Sequence, residues 1–143
     1  SAPPKWIFKA FTSTHVFLYR LSKGKMGRTM IGFPVLLLTT TGRKSGLQRT
    51  TPVVYIRDGD SYLIAASAGG AERHPIWFLN LQNKPEANIE VEGKISKVEV
   101  EIASDSERAR LYERFKAQGD NFVKYEQNTK RPIPVIRLKP ALG

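Results

Sequence analysis

Two short turn sequences constrain the fold of this chain more than any other feature. Each lies between two stretches rich in apolar and β-branched residues, and turns of this composition join neighbouring antiparallel strands. Asp58-Gly59-Asp60 separates the stretches at about 50–57 and 61–66, and Gly93-Lys94 separates those at about 87–92 and 95–102. Both pairs are therefore predicted to be β-hairpins.

The last of these strands alternates between apolar and charged side chains. Ile95, Val98, Val100 and Ile102 are predicted to face the core, while the lysine and the glutamates between them face solvent. This assignment requires a change of register near Ser96, which we interpret as a β-bulge.

Helical signals are fewer than strand signals. A short helix is predicted to begin at Pro75. Ser104 and Glu107 form a capping box that predicts a second helix, running to about Gln118 and ended by Gly119.

Two further strands, at about 34–40 and 134–138, bring the predicted number to six. Many short strands with few helices are typical of barrels whose strands are antiparallel. The sequence therefore predicts a mainly β, α+β fold, with a closed or nearly closed antiparallel β-barrel and flanking helices.

The 143-residue chain carries 23 basic and 13 acidic residues, a formal net charge of +10. Its length fits one domain, and its hydrophobic fraction of 41% is too high for a disordered chain. The excess of positive charge favours an anionic partner, which is nucleic acid, anionic lipid or a small polyanion. Cysteine is absent and the histidines, His15 and His74, lie far apart, so no metal site is predicted.

The first 32 residues are predicted to form a segment of their own, ahead of a barrel domain at 33–143. Residues 5–22 have apolar side chains at near-helical spacing, which predicts an amphipathic helix. A positively charged loop at 23–32 follows this helix. The longest apolar run, at 33–38, is too short to span a bilayer, and no secretory signal is visible. A cytoplasmic protein is therefore expected.

The segment at 39–51 joins two predicted strands and is far longer than a tight hairpin turn needs. It contains Arg43, Lys44 and Arg49 and no acidic residue, and its two glycines allow successive backbone N–H groups to form an anion-binding nest. Arginine binds phosphate or carboxylate through parallel hydrogen bonds, and lysine adds a point charge. The spacing is not that of a P-loop. The segment is interpreted either as an anion site or as a solvated basic loop.

A second stretch, AASAGGAERHPIW at 65–77, is rich in small residues. Glycine and alanine occur where a flat ligand approaches the backbone closely. Trp77, at the end of this stretch, fits either core packing or a contact with such a ligand.

The sequences LLLTTTGRKSGLQRTTPVVYIRDGD and LIAASAGGAERHPIWFLNLQNKPEANIEVEG resemble the deazaflavin-dependent nitroreductase family. The resemblance is strong from about Phe33 to Gly93 and weaker through SDSERARLYERF and RPIPVI. It implies a split β-barrel of the FMN-binding type that uses coenzyme F420, an 8-hydroxy-5-deazaflavin. F420 carries a phosphodiester and an oligoglutamate tail, so the anionic partner that the resemblance implies is a small polyanion.

The resemblance also implies a cofactor site shared by several groups of residues. The phosphate and tail are surrounded by Arg43, Lys44, Ser45 and Arg49. The chromophore is bordered by Thr39, Thr40, Thr41 and Pro52, with Gly42 and Gly46 in the loop between. The ring is lined by Ala65, Ala66, Ser67, Ala68, Gly69 and Gly70, and that side is closed by Trp77 and Asn80. The redox chemistry belongs to the coenzyme, so no protein nucleophile is expected.

The acceptor pocket departs from the pattern of the family. Other members carry tyrosines over the ring where this chain has Val54 and Phe122, whereas Tyr125 and Ser67 are retained. A pocket formed by Val54, Phe122 and Tyr125 is more apolar than theirs. A quinone, an enone or an unsaturated lipid fits it at least as well as a nitroaromatic compound. Tyr125 and Ser67 are the candidate catalytic hydroxyl donors.

Other interpretations remain open from the sequence. The barrel also fits a non-catalytic F420-binding module, a nucleic-acid-binding module, or an FMN- or haem-binding split barrel. Its strands lack the exposed aromatic residues among basic ones that nucleic-acid binding predicts. The N-terminal helix fits a lid over the acceptor pocket, a peripheral contact with the inner face of the cell membrane, or a helix packed on the barrel. The oligomeric state is not indicated.

Overall fold

The computed structural model describes residues 29–30 and 32–141. The helix predicted at 5–22 lies outside these residues, and so do its interpretations as a lid or a membrane contact. Most of the positively charged stretch at 23–32 also lies outside them. Within the described part of the chain, no helix is both long enough and apolar enough to cross a bilayer.

The described residues form one antiparallel sheet of eight strands. The strands are β1 (Thr29–Met30), β2 (Phe33–Thr41), β3 (Gln48–Val54), β4 (Ile56–Asp58), β5 (Ser61–Ala65), β6 (Glu86–Val91), β7 (Lys94–Ile102) and β8 (Val135–Pro140). Their order in the sheet is β1-β2-β6-β7-β8-β5-β4, and β3 pairs with β2. Both predicted hairpins are confirmed, since β4 pairs with β5 and β6 pairs with β7.

The strand predicted at 50–57 is broken in two at Tyr55. β3 pairs with β2, whereas β4 pairs with β5, and no ladder among the described residues joins β3 to β5. The sheet therefore curls into a barrel that is open along one line, between β3 and the end of β5. Pro52 lies on this open edge, where a residue without a backbone N–H removes no ladder hydrogen bond. The predicted split barrel is confirmed.

The predicted bulge near Ser96 is wrong. β7 pairs with β6 without interruption, and Ser96 lies opposite Ile89. Because successive strand residues face opposite sides of a sheet, Ile95 shares a face with Lys97, whereas Val98 is buried on the other. Ile95 is consequently 70% exposed, and the core assignment made for it is wrong as well. Ile102 lies on the Val98 face but near the end of the strand, where it is 40% exposed.

Three helices flank the sheet in the described residues: α1 (Ile76–Asn83), α2 (Asp105–Gln118) and α3 (Asp120–Gln127). α1 and α2 were predicted, and α3 was not. Gly119 ends α2 as expected, but its backbone is extended and not left-handed. A Cβ built at Gly119 would lie 2.5 Å from Cε2 of Phe33, so close packing of the helix end requires the glycine.

The predicted capping box begins α2 at the expected place, but its side-chain hydrogen bonds are replaced by another network. Ser104 is the N-cap residue and forms no side-chain capping bond. Glu107 accepts a hydrogen bond from Nη1 of Arg137 at 3.0 Å, and the same guanidinium also donates to Asp58 and Glu101 at 3.1 and 3.0 Å. Arg137 thereby ties the start of α2 to β4 and β7.

Two apolar clusters lie on the two faces of the sheet. The first fills the barrel and includes Leu36, Leu38, Ile64, Ala66, Ile89 and Leu138, with Phe78 and Leu81 of α1 packed at one end. The second, here called the helix-side core, lies between the sheet and α2 and α3. It includes Phe33, Ile56, Leu63, Leu111, Tyr112, Phe115, Phe122 and Val135. α1 therefore packs on the first cluster and α3 on the second.

Candidate functional site

The basic loop at 42–47 is a compact turn that closes the β2–β3 hairpin. The backbone N–H of Gly42 donates to the carbonyl of Leu47 at 2.8 Å, and that of Gly46 donates to the carbonyl of Gly42 at 2.8 Å. The N–H of Leu47 donates to Oγ of Ser45 at 3.1 Å. A Cβ built at Gly42 would lie 2.7 Å from that same oxygen, so the turn is tight enough to require glycine there.

The buried side-chain amide of Asn80, on α1, forms hydrogen bonds with the start of this loop and with β2. Asn80 is 1% exposed, its Nδ2 donates to Oγ1 of Thr40 at 3.1 Å, and its Oδ1 accepts from the backbone N–H of Arg43 at 3.0 Å. Thr40 is equally buried. Asn80 was predicted to contact the cofactor. Its position instead makes it the anchor between α1 and the start of the basic loop.

Three basic side chains lie in or directly after this turn: Arg43 and Lys44 in the turn itself and Arg49 in β3. Arg43, Lys44 and Arg49 are exposed, and among residues 32–141 their side chains form no ion pair and no hydrogen bond. Arg137 and Arg131, in contrast, each form three hydrogen bonds with acceptors of the protein. Three cations that form no ion pair among residues 32–141 suit a small ligand that carries several negative charges. The predicted anion nest is not available in this structure, because the N–H groups of Gly42 and Gly46 donate to carbonyls of the protein.

The predicted chromophore residues are divided between the two faces of β2 and β3. Residues directly opposite in an antiparallel pair share a face, so Thr39 lies with Thr50, and the Leu37–Pro52 pair lies on the same side. The hydroxyls of Thr39 and Thr50 are 2.8 Å apart. Thr40 pairs with Arg49 on the opposite face. The structure therefore brings Thr39, Thr50 and Pro52 together and separates them from Thr40.

A polar groove opens on the Thr39 face of the sheet. Its volume is about 230 Å³, and it is lined by Thr39, Thr41, Gln48, Lys84, Glu86, Ala87, Asn88 and Lys97. Nε2 of Gln48 donates to Oγ1 of Thr41 at 3.1 Å across the mouth of the hairpin. The groove therefore begins directly beside the basic loop.

The small-residue segment, at the start of the stretch 65–77, leaves the sheet at the end of β5 and has an unusual backbone conformation. Ala68, Gly69 and Gly70 have φ angles of 47°, 65° and 85° in succession. A left-handed conformation is rare for alanine and easy for glycine. A Cβ built at Gly70 would lie 3.0 Å from Cα of Tyr125, so the segment packs directly on the backbone of α3.

The predicted acceptor residues meet at the margin of the helix-side core. Val54, Ala65 and Tyr125 are partly buried against it. Phe122 is 1% exposed, with its ring centroid 5.0 Å from that of Phe33 and 5.1 Å from that of Phe115. Its assignment as a pocket-lining residue is therefore corrected, since Phe122 supports the pocket from inside the core.

The two candidate hydroxyl donors lie beside the small-residue segment. Ser67 lies two residues after the end of β5, and the backbone of Tyr125 touches Gly70. In the described residues, neither the Ser67 nor the Tyr125 hydroxyl forms a hydrogen bond. Trp77 lies half-buried against the barrel core, with its ring edge-on to Phe78 at 6.4 Å between centroids.

Sequence analysis missed one residue of this region, Arg131. Its guanidinium donates to the carbonyls of Ser67 and Ala71, both at 2.9 Å, and lies 3.0 Å from Nδ1 of His74. Burial, followed by the charge of Arg131, lowers the pKa of His74 below its ordinary value of 6.5. No local pattern indicates these contacts, because they join residues 57 to 64 positions apart.

Comparison with known proteins gives a consistent result. A family model described as F420H(2)-dependent quinone reductase matches residues 11–140. An F420H(2)-dependent quinone reductase of Mycobacterium tuberculosis strain H37Rv is 41% identical over 128 residues, which cover 87% of this chain and 86% of that protein.

Solved structures show the same fold. An F420-H2 dependent reductase superposes with a TM-score of 0.67 at 28% identity, covering 74% of this chain and 94% of that one. A heme storage protein of Vibrio cholerae superposes with a TM-score of 0.54 at 18% identity, covering 81% and 86% of the two chains. The latter identity is low enough that the likeness concerns the fold alone.

Proposed function

Because this chain belongs to the family of F420H(2)-dependent quinone reductases, we propose that its barrel split is where reduced coenzyme F420 meets a small apolar acceptor. The chain is an F420-dependent oxidoreductase, and what we propose is the placement of the reactants. One observation carries the placement: Arg43, Lys44 and Arg49 form no ion pair among residues 32–141, and the buried amide of Asn80 fixes the backbone at Arg43 beside the open edge of the barrel.

The basic loop binds the anionic part of the coenzyme. Arg43 and Arg49 offer planar forks to phosphate and carboxylate oxygens, and Lys44 adds a point charge. The residues fit this group chemically, since three basic side chains lie within residues 39–51 and no acidic residue does. The anchor formed by Asn80 fixes the direction in which Arg43 leaves the sheet. Binding therefore requires little reorganisation of the loop.

The small-residue segment supports the flat ring system. Ala65 to Gly70 line one lip of the split, and Thr50 and Pro52 lie on the other. Without large side chains on the first lip, a planar group can approach the backbone closely. Reduced F420, when bound, supplies the hydride, so the protein has to hold the donor and the acceptor in register and keep water away.

The acceptor lies against the apolar margin formed by Val54 and Tyr125. A quinone suits this margin because its ring is apolar and its carbonyl oxygen accepts hydrogen bonds. As a hydride adds, negative charge develops on that oxygen, and the reaction is completed by one proton. In this proposal the hydroxyls of Tyr125 and Ser67, which form no hydrogen bond among the described residues, donate to the developing charge.

The proposal also includes the N-terminal segment, which carries several basic residues. A peripheral membrane contact through the basic residues before Thr29 would deliver a lipid-soluble quinone directly to the pocket. The cytoplasmic location stays a prediction from the sequence.

A second candidate function is a non-catalytic carrier that binds F420 at the basic loop. A measurement of turnover distinguishes this carrier from a reductase.

The decisive experiment follows the oxidation of reduced F420 by menadione in the purified protein. We expect turnover with reduced F420 and none with NADPH, and a faster rate with menadione than with a bicyclic nitroimidazole. Tyr125→Phe should slow menadione reduction by about 100-fold, the usual effect of removing one oxyanion donor, while F420 affinity changes little.

The matched control is Tyr62→Phe, because Tyr62 is also partly buried but packs edge-on against Tyr55 in the other core. It should retain the wild-type rate. F420 binding without menadione turnover would establish the carrier instead. A wild-type rate in Tyr125→Phe would remove Tyr125 from the reaction.

A further inference from the structure

Arg131 forms a clamp on the small-residue segment. It lies in the stretch between α3 and β8, and its guanidinium reaches across to the chain that follows β5. Nη2 donates to the carbonyl of Ser67 and Nε to the carbonyl of Ala71, each at 2.9 Å. Nη1 donates to Nδ1 of His74 at 3.0 Å, which places the ring proton of His74 on Nε2. One side chain thus contacts this part of the chain at Ser67, Ala71 and His74.

The clamped segment has little structure of its own. Its internal backbone bonds are those of a single 3-10 turn, from Gly70 N–H to Ser67 at 2.9 Å and from Ala71 N–H to Ala68 at 3.2 Å. Ala68 is held at a φ of 47°, which a residue with a Cβ rarely adopts. A conformation of this kind persists only where the surroundings fix it. Arg131 is the side chain that does so, because it engages the carbonyls at both ends of the turn.

The same segment also touches α3. Gly70 packs against Cα and the carbonyl of Tyr125, since a Cβ there would lie 3.0 and 3.1 Å from these two atoms. The segment is therefore fixed on one side by the backbone of α3 and on the other by the guanidinium of Arg131. The segment thus contacts α3 through Gly70 and the stretch after α3 through Arg131.

We propose that Arg131 is a positioning residue for hydride transfer, because it ties the ring-supporting segment at 65–70 to the stretch that follows α3, the helix that carries Tyr125. This inference rests on the proposed function, in which that segment supports the deazaflavin ring. Arg131 acts through its fork geometry and not through its charge, because its donors are directed at two carbonyls and a ring nitrogen of the protein. Anion binding at the basic loop is a separate property.

The test compares three variants. Arg131→Gln removes the clamp and the charge, and Arg131→Lys keeps the charge but cannot donate to two carbonyls in a fixed plane. Lys130→Gln is the matched control, since Lys130 is the exposed neighbouring residue and the variant loses the same charge. Both Arg131 variants should behave alike, and the control should behave as wild type.

The first measurement needs no cofactor. Amide hydrogen exchange of the free protein should become at least tenfold faster at Gly70 and Ala71 in both Arg131 variants, while the amides of the β6–β7 hairpin keep their wild-type rates. Unchanged exchange at Gly70 and Ala71 would show that Arg131 does not hold the segment, and the proposal would be wrong. This result is independent of whether the protein uses F420.

The second measurement separates positioning from general stability. At a temperature where every variant is folded, the F420 dissociation constant should change less than about fivefold in both Arg131 variants, because the anionic part binds at the basic loop. The kcat for menadione should fall at least tenfold, and the absorption spectrum of bound F420 should shift toward that of the free coenzyme. Full recovery of kcat in Arg131→Lys would overturn the fork argument. A wild-type protein without F420 turnover would refute the proposed function and leave the exchange result to decide the clamp.

Discussion

Replacing Asn80 with alanine tests whether a buried amide holds the basic loop in place. The substitution removes the hydrogen bonds to Oγ1 of Thr40 at 3.1 Å and from the N–H of Arg43 at 3.0 Å. Such a bond contributes about 1 kcal/mol, and a buried group left without a partner costs about 1–3 kcal/mol. Thr40 is 1% exposed and cannot turn to water. The free energy of unfolding should therefore fall by about 2–3 kcal/mol, and Tm by roughly 6–10 °C.

The assay combines urea unfolding with titration of oxidised F420. Gln48→Ala is the matched control, because it removes an amide of the same hairpin that bonds Thr41 at 3.1 Å in an exposed position. An exposed substitution of this kind should change stability by less than about 0.5 kcal/mol. The F420 dissociation constant should rise about tenfold in Asn80→Ala, since the direction of Arg43 is no longer fixed, and should stay near wild type in Gln48→Ala.

A double-mutant cycle localises the effect. Thr40→Val removes the other partner of the same bond, so the cost of Asn80→Ala should be smaller in the Thr40→Val background, with a coupling energy of at least about 0.5 kcal/mol. Additive costs would mean that the hydrogen bond between these two side chains contributes nothing. If Asn80→Ala unfolds at the wild-type urea concentration and binds F420 with wild-type affinity, the reasoning about the anchor is refuted.

Two further predictions concern charge. Replacing both Arg43 and Arg49 with alanine should weaken F420 binding at least tenfold and make the binding less dependent on salt, because each charged hydrogen bond contributes about 1.5–3 kcal/mol. The control Lys94→Ala, on the distant hairpin, should change neither property. An unchanged affinity of the double variant would place the anion site elsewhere. Burial alone would raise the pKa of Asp58, but hydrogen bonds from two arginines hold it below its ordinary value of 3.8. Asp58 therefore contributes stability above about pH 4 that is lost as the pH falls. Arg137→Gln should make urea midpoints depend less steeply on pH between 5 and 3, and equal slopes would contradict this role.

The hairpins could be predicted from the sequence because their signals are local. Glycine-containing turns fix the ends of β4, β5, β6 and β7 within one or two residues, and the antiparallel order of these pairs follows from the short connections. The break at Tyr55 could not be predicted, because it depends on which neighbour each half of the strand finds across the barrel. The register of β7 was mistaken for the same reason, since β6 and β8 impose an uninterrupted ladder on a strand whose apolar pattern suggests a slip.

The helix α3 shows how tertiary packing produces structure that local sequence does not indicate. It begins after Gly119 without a side-chain cap. Its buried residue, Phe122, packs between Phe33 and Phe115, which come from β2 and α2. A helix stabilised by such distant contacts carries a weak local signal. For the same reason Phe122 was assigned to the pocket: the family pattern gives its place in the chain, and only packing shows that the ring points into the core.

The candidate site follows a similar division. The residue types of the basic loop and of the small-residue segment were visible in the sequence because charge and glycine content are local properties. What fixes those segments was not visible, since Asn80 reaches the loop from 37 positions away and Arg131 reaches Ser67 from 64. The site lies where the ladder between β3 and β5 is missing, so the segment after β5 belongs to no ladder of the described residues. The guanidinium of Arg131, from the stretch before β8, holds that segment, and the buried amide of Asn80 on α1 holds the turn of the β2–β3 hairpin.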